Sequence, residues 1–371
     1  MSRFGLYLHV PFCRSKCVYC DFPSYPHMEK WHDAVIRRMI GEFRQQAVIL
    51  GHRPPTTVYV GGGTPSILAP ERIERLMTAA REAFPWNDGA EVSVEMNPGT
   101  VTGSFVSAAL RCGVNRVSLG AQSASDRLLT TLGRIHTFEE TRNTVQLLRD
   151  RGIININLDM MIGLPEQTID DVRETLSEFI ALDPAHISCY SLILEPGTPL
   201  YDAVQHGDKR LPDEAEERQM YYLARSTLES AGYRQYEISN FARPGRECRH
   251  NLDCWHREEY LGIGVSAASL LGSTRYRNPA SVSAYLQGQA PERIELSAED
   301  ERFESVMLGL RLNEGLSDRE FHCRHGKHLN DVFGDVISRL VAGGLLEWQG
   351  DALKCTERGF DIQNDVLTEF L

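Results

Sequence analysis

The run Leu6-Tyr7-Leu8-His9-Val10-Pro11-Phe12-Cys13-Arg14-Ser15-Lys16-Cys17-Val18-Tyr19-Cys20 decides how this chain is read. A short apolar stretch with β character ends at Pro11, and three cysteines follow it at spacings of four and three. Three thiols on one tight loop can converge on a single soft metal centre. Having three ligands rather than four matters chemically, because a cubane iron–sulfur cluster held by three cysteines keeps one iron open to a small chelating ligand. Zinc is the competing reading, but structural zinc sites are closed and usually combine two Cys or His pairs. No second Cys-x-x-Cys occurs here. Arg14, Lys16 and Asp21 make the loop polar, which argues against three unligated core cysteines.

Outward from this loop, short β-like runs alternate with longer helical patterns. Strands are expected near residues 6–10, 58–61, 92–96, 116–119, 154–160 and 187–192. Helices are expected near 31–50, 71–84, 138–151 and 170–182, where apolar residues recur at three- and four-residue spacing. Six β-then-α units in series imply an α/β protein with a parallel sheet, since parallel strands need crossover connections. Periodicity does not say whether that sheet stays flat or curls into an open barrel. In either shape ligands gather beyond the C-terminal ends of the strands. Gly61, Glu95, Gln122 and Asp159 fall at such ends. Past Pro212 the pattern gives a helix to about Ala231, a short strand near 235–238, and a loop rich in Arg, His and Cys over 243–257. From about Ala298 a separate small piece begins, helical with a β wing.

Composition excludes other classes. The 371 residues are 42% hydrophobic and 24% charged, so disordered and fibrous chains are ruled out. Lys+Arg 39 against Asp+Glu 51 leaves a net charge of −12, which is not the balance of a protein that coats nucleic acid. No stretch approaches the roughly 20 apolar residues of a membrane-spanning helix, so an integral membrane protein is not expected. The N-terminal stretch does not read as a secretory leader. With an odd count of nine cysteines, metal binding fits better than a disulfide framework, and a cytoplasmic protein is expected.

Cys13-x-x-x-Cys17-x-Tyr19-Cys20 after a strand, with Gly61-Gly62-Gly63-Thr64-Pro65 closing the second, resembles the radical S-adenosylmethionine (SAM) superfamily. That resemblance implies a partial (β/α)6 barrel with a small C-terminal helical, winged domain. It also implies a [4Fe-4S] cluster on Cys13, Cys17 and Cys20, with SAM chelated to the open iron. Leu6–Cys13, Asn115–Ser123, Leu132–His136, Asn157–Pro165, Gly262–Ala267 and Thr356–Phe360 are similar to one branch nearly end to end. That branch contains oxygen-independent coproporphyrinogen III oxidase and the HemW-like haem chaperones. In it, Gly62, Gly63, Thr64, Glu95, Gln122, Arg134 and Asp159 are expected to cradle SAM, bounded by Tyr7 and Tyr19. Ile193 and Ala268 match adenosine-lining positions. Glycines let the backbone approach the methionine amino group, carboxylates suit ribose hydroxyls and ammonium, and Arg134 suits a carboxylate. On its residues alone Arg134 also reads as a solvated charge at a helix end.

Two departures separate the chain from the oxidase. The oxidase pattern has a further cysteine two residues after the third, where this chain has Asp21-Phe22, and its N-terminal extension is longer. Both point to the haem-chaperone branch. That branch also carries a His-Asn-x-x-Tyr-Trp motif; this chain keeps His250, Asn251 and Trp255 but has Cys254 in place of tyrosine. His250 is the expected haem contact, with Cys254 a second candidate. His250 and Asn251 read equally as side chains that bond the loop backbone, and Cys248, His250, Cys254 and His256 form an alternative zinc set. The His/Cys-rich segment 321–328 reads as an ordinary helix and turn, and Cys112, Cys189 and Cys355 as small core residues.

The expected organisation is a radical SAM core over 1–240, a His/Cys/Arg-rich connecting segment over 241–297 and a helical domain over 298–371. The expected function is haem binding and transfer to an acceptor protein. A radical SAM enzyme acting on a porphyrinogen or another tetrapyrrole is the alternative, and a zinc-binding interaction protein a third reading.

Overall fold

The computed structural model describes residues 3–371; Met1 and Ser2 of the N-terminal stretch lie outside it. The six expected strands form: β1 (Phe4–Val10), β2 (Thr57–Gly62), β3 (Glu91–Met96), β4 (Arg116–Gln122), β5 (Ile156–Ile162) and β6 (His186–Ser191). They pair side by side in parallel. Crossovers are made by α1 (His32–Ile49), α2 (Pro70–Ala83), α3 (Gly103–Arg111), α4 (Asp126–Thr131), α5 (Phe138–Asp150) and α6 (Ile169–Ala181). Helix starts are fixed locally: in α5 and α6 a threonine hydroxyl and an acidic residue three positions on bond each other's backbone N–H. The outer faces of the strands, such as Val117, Leu119, Leu158 and Ile187, bury completely against these helices in one large core.

The sheet extends beyond the six units. After α7 (Pro199–Gln205) and α8 (Glu214–Ser230) come β7 (Arg234–Glu237) and β8 (Asn240–Ala242); β8 pairs antiparallel with β6, and β7 pairs antiparallel with β8 to form that edge. A seventh parallel strand, β9 (Glu259–Gly264), pairs with β1 on the other side. It is followed by antiparallel β10 (Ala268–Leu271), β11 (Thr274–Arg277) and β12 (Glu292–Glu295). Segment 241–297 therefore contributes strands to the main sheet as well as connections. Its strand β9 was hard to see because glycines interrupt it. A Cβ on Gly262 would lie 2.0 Å from the carbonyl oxygen of Ala268, and one on Gly264 2.5 Å from that of His9.

The loop expected over 243–257 also contains a helix, α9 (Arg249–Trp255). It sits at the N-terminal ends of the strands, where the Glu91 carboxylate accepts from the N–H groups of Arg249 and His250, both at 3.1 Å. This side chain does for α9 what a cap residue would do. After α10 (Val282–Leu286), the C-terminal piece comprises α11 (Ala298–Gly309), α12 (Asp318–His325), α13 (Leu329–Ala342) and two short terminal helices, with a three-stranded wing and its own apolar core. Segment 321–328 is a helix end and turn: Gly326 takes the left-handed conformation, and His328 bonds Asp318 at 2.7 Å. Among the described residues no helix is long and apolar enough to cross a membrane.

A cavity between the cysteine loop and the barrel floor

The inward faces of the parallel strands are polar where their outward faces are apolar. Along β4 the inward residues are Arg116, Ser118, Gly120 and Gln122; along β5 they are Asn157, Asp159 and Met161; along β6, Ser188 and Tyr190. They enclose a cavity of about 520 Å³ that runs from the cysteine loop down to α9. Its volume is that of a small-molecule site.

Cys13, Cys17, Cys20 and Tyr19 line one end. The loop is pinned by Lys16, whose ammonium donates to the carbonyl of Phe22 at 3.0 Å, and by the Val18 N–H on the Leu132 carbonyl at 3.1 Å. The Thr64 hydroxyl donates to Cys13 Sγ at 3.5 Å, and Arg134 Nη1 to Cys17 Sγ at 3.4 Å. Burial pushes the Cys20 thiol up, and the charges of Cys17 and Cys13 add to that rise, so the three sulfurs share one electrostatic neighbourhood. Among the described residues no three His, Cys, Asp or Glu side chains gather closely enough to hold a single ion. Three soft thiols around an open space, faced by donors from Thr64 and Arg134, fit a cluster with several irons. The alternative set Cys248, His250, Cys254 and His256 forms no such group among the described residues either.

Arg134 is not a solvated helix-end charge. Its Nη2 donates to the Gly120 carbonyl at 2.6 Å, and its buried Nε has no partner. The side chain lines the cavity, so its charge stands at the wall where the resemblance places a bound carboxylate. Glu95 enters from the end of β3 and accepts from the Tyr59 hydroxyl at 2.9 Å and the Gly62 N–H at 3.0 Å. Desolvation inside the barrel pushes its carboxyl up to about 7. The Tyr59 bond opposes that rise, the Asp159 charge adds to it, and the Gly62 bond opposes it. Asp159 is also raised by desolvation, while Asn157 Nδ2 at 2.8 Å helps hold it charged. These are the partners that a carboxylate among apolar strand residues requires. Gln122 adopts a positive φ of 66° where β4 loses register with β5, which turns the strand end at the site.

The glycine triplet has a tighter explanation than access for a ligand. A Cβ on Gly61 would lie 2.7 Å from the Glu95 carboxyl, one on Gly62 2.6 Å from the His9 ring, and one on Gly63 2.4 Å from the Phe12 carbonyl oxygen. The Gly62 and Gly63 N–H groups are already committed, to Glu95 and to the Val10 carbonyl at 2.8 Å. Gly62, Gly63 and Thr64 do line the cavity. Only backbone without side chains lets Glu95, His9 and the cysteine strand approach this turn.

Two expected site residues lie elsewhere. Tyr7 does not line the cavity; its hydroxyl bonds His9 Nδ1 at 3.0 Å, and its ring stands 6.2 Å from that of Tyr59. His250 is sealed in the barrel floor. Its Nδ1 bonds the Thr57 hydroxyl at 2.9 Å, and its ring stacks on Tyr59 with centroids 5.1 Å apart. Gly5 makes room for it, since a Cβ there would stand 3.1 Å from His250 Cε1. Burial lowers its pKa to about 4. The imidazole, expected as the haem contact, is buried here and does not line the cavity. Cys254 is enclosed too, its thiol pushed up to about 12 by burial. Asn251, by contrast, does line the cavity, together with Cys248 and with Arg116 and Tyr59, two residues to which the sequence analysis gives no role.

Similarity to known proteins agrees with this geometry. Residues 7–179 match the radical SAM superfamily model, and residues 296–362 the HemN C-terminal domain. The chain is 34% identical to the heme chaperone HemW of Bacillus subtilis, over 98% of each chain. It is 34% identical to that of Escherichia coli, over 99% of this chain and 98% of the relative. A bovine relative, radical S-adenosyl methionine domain-containing protein 1, mitochondrial, is 31% identical over 100% of this chain and 88% of its own. The solved structure of coproporphyrinogen III oxidase from Escherichia coli superposes with a TM-score of 0.86, over 100% of this chain and 90% of that one. At 24% identity that likeness establishes the fold alone. Full-length similarity, the three-cysteine loop and the cavity beneath it agree: this chain belongs to the HemW family of the radical SAM superfamily.

Proposed function

We propose that this protein is a haem chaperone: it binds haem and hands it to an acceptor protein in the cytoplasm. The observation that carries this reading is end-to-end similarity to proteins named heme chaperone HemW, at about a third identity. As a member of the superfamily the chain has a [4Fe-4S] cluster and SAM as its cofactors. When bound, such a cluster supplies one electron and one open coordination position. The chain's own residues do the rest. Cys13, Cys17 and Cys20 would hold the cluster. Arg134 donates to Cys17 and lines the cavity as a cation suited to a carboxylate, while Glu95 and Asp159 line it as acceptors suited to hydroxyls and an ammonium. Tyr59 and Gly62 keep Glu95 aimed inward.

A second reading is kept alive by the completeness of the SAM cavity: a radical enzyme acting on a porphyrinogen or another tetrapyrrole. The two separate in one experiment. Anaerobically reconstituted protein is incubated with SAM, reductant and haem or coproporphyrinogen III. Saturable haem binding with the tetrapyrrole recovered intact supports the chaperone. Tetrapyrrole-dependent formation of 5′-deoxyadenosine with a modified macrocycle supports the enzyme and overturns the proposal.

A further inference from the structure

Behind Asp159 runs a line of hydrogen bonds that leaves the cavity and ends at α9. Asn157 Nδ2 donates to Asp159 Oδ1 at 2.8 Å and to Ser118 Oγ at 2.7 Å, and Ser118 donates to the same carboxylate at 3.4 Å. On its other side Asn157 Oδ1 meets His186 Nδ1 at 2.6 Å and accepts from the Ser188 hydroxyl at 3.1 Å. His186 Nε2 stands 2.9 Å from the Tyr236 hydroxyl. That hydroxyl accepts at 3.3 Å from the N–H of Cys248, the N-cap of α9. Asn157 and His186 are both buried; Ser118, Asn157 and Asp159 line the cavity, whereas His186 and Tyr236 do not.

The ends of this line fix its direction. The Cys248 N–H can only donate, so the Tyr236 oxygen accepts there and turns its own hydrogen to the imidazole. Burial and the nearby Arg116 charge keep His186 neutral, so Nε2 accepts and the proton sits on Nδ1. Nδ1–H then donates to Asn157 Oδ1, which leaves the Asn157 amide to donate to Asp159. The opposite order would turn the amide oxygen toward the carboxylate, an arrangement that only a protonated Asp159 tolerates. The relay and the charge of Asp159 are therefore linked: each bond in it points toward the acid, as an ionised carboxylate in a desolvated cavity requires.

We propose that His186, with Tyr236 behind it, is a positioning residue for the SAM site, fixing the Asn157 amide so that Asp159 is held ionised. This rests on the reading of Asp159 as part of the SAM cradle. Through Cys248 the start of α9 is joined to that acid, although His250 on the same helix does not reach the cavity.

The test is SAM binding by anaerobically reconstituted protein, measured by equilibrium dialysis as a function of pH, with iron and sulfide counted in every sample. His186→Leu is expected to weaken SAM about tenfold near neutral pH, the scale of one hydrogen bond to a charged group. It should also move the rise in affinity to higher pH, because a buried carboxylate that loses a donor is harder to ionise. His186→Asn, whose amide N–H can replace Nδ1–H, should restore most of both. Tyr236→Phe removes one oxygen and should shift the profile the same way by less; it carries the test if His186→Leu does not fold. Asp159→Asn should abolish the component that shifts. Glu95, Arg116, Tyr19, Tyr59 and Tyr190 also lie within electrical reach of Asp159, so the quantity read is the difference from wild type at each pH. If the wild type binds SAM and the folded variants keep its pH profile, the relay is only structural and the proposal is overturned. If the wild type binds no SAM, the reading of the cavity fails and the proposal falls with it.

Discussion

The backbone N–H of Gly62 donates to the Glu95 carboxylate at 3.0 Å, tying the turn after the second strand to the end of the third. The contact depends on the neighbouring residue having no side chain: a Cβ on Gly61 would stand 2.7 Å from the same carboxyl. The glycine triplet is thus a packing device that sets the position of an acid at the cavity wall.

Gly61→Ala should therefore disturb Glu95 before anything else. Overpacking of this kind costs about 1–3 kcal/mol, and the carboxyl cannot keep both its Tyr59 and Gly62 bonds. We expect a lower urea midpoint and SAM binding weakened about tenfold, read by equilibrium dialysis. Unchanged SAM affinity would show that Glu95 is not part of the cradle.

Glu95 also gives a pH signature. Its pKa rises from 4.5 to about 7 in the folded protein. Between those values the native state holds a proton that the unfolded chain has lost, so this group's contribution to stability falls as pH rises through that window. SAM carries positive charge, and its affinity should rise as the carboxyl ionises around pH 7. Glu95→Gln should flatten both trends. Glu237 is likewise pushed up to about 7 by burial, so the informative quantity is the difference between wild type and variant.

His250→Ala is expected to act on stability more than on haem. The imidazole fills the floor between Gly5, Thr57 and Tyr59. Removing a large buried side chain typically costs about 2–5 kcal/mol. Chemical unfolding should show that loss, while the haem dissociation constant of the folded variant stays within about twofold of wild type. A selective loss of haem binding without destabilisation would return the ligand to His250.

Replacing Cys17 with Ala should remove the brown chromophore of the reconstituted protein together with most of its iron and sulfide. The fold should persist, because the loop's anchors at Lys16 and Val18 remain. Full retention of iron and sulfide would contradict the cluster assignment.

Much of this architecture was legible because the parallel strands carry two patterns at once. In Arg116-Val117-Ser118-Leu119-Gly120-Ala121-Gln122 every second residue is apolar and meets helices, and the others face the cavity. Read as an alternation, that string also points Arg116 and Ser118 inward, and the same alternation along the fifth strand adds Asn157, an uncharged amide that does not stand out among apolar neighbours. Strand Glu259–Gly264 was hidden because glycine, demanded there by a neighbouring carbonyl, looks like loop. The helix Arg249–Trp255 is too short for a 3.6-residue period to declare itself. Its His250 therefore read as a loop histidine, when it is a plug held by Glu91 and Tyr59. Tyr7 is adjacent in sequence to the cysteine loop, yet its hydroxyl bonds His9 and it does not line the cavity.

The most direct test of the central claim is a single anaerobic titration of the reconstituted protein with haem. It is followed by mixing with an apo-haemoprotein acceptor and by quantifying 5′-deoxyadenosine in the same sample. The account predicts saturable, stoichiometric binding, movement of the haem spectrum to the acceptor, and recovery of intact haem. Absence of saturable binding, together with SAM cleavage that depends on a consumed tetrapyrrole, would contradict it.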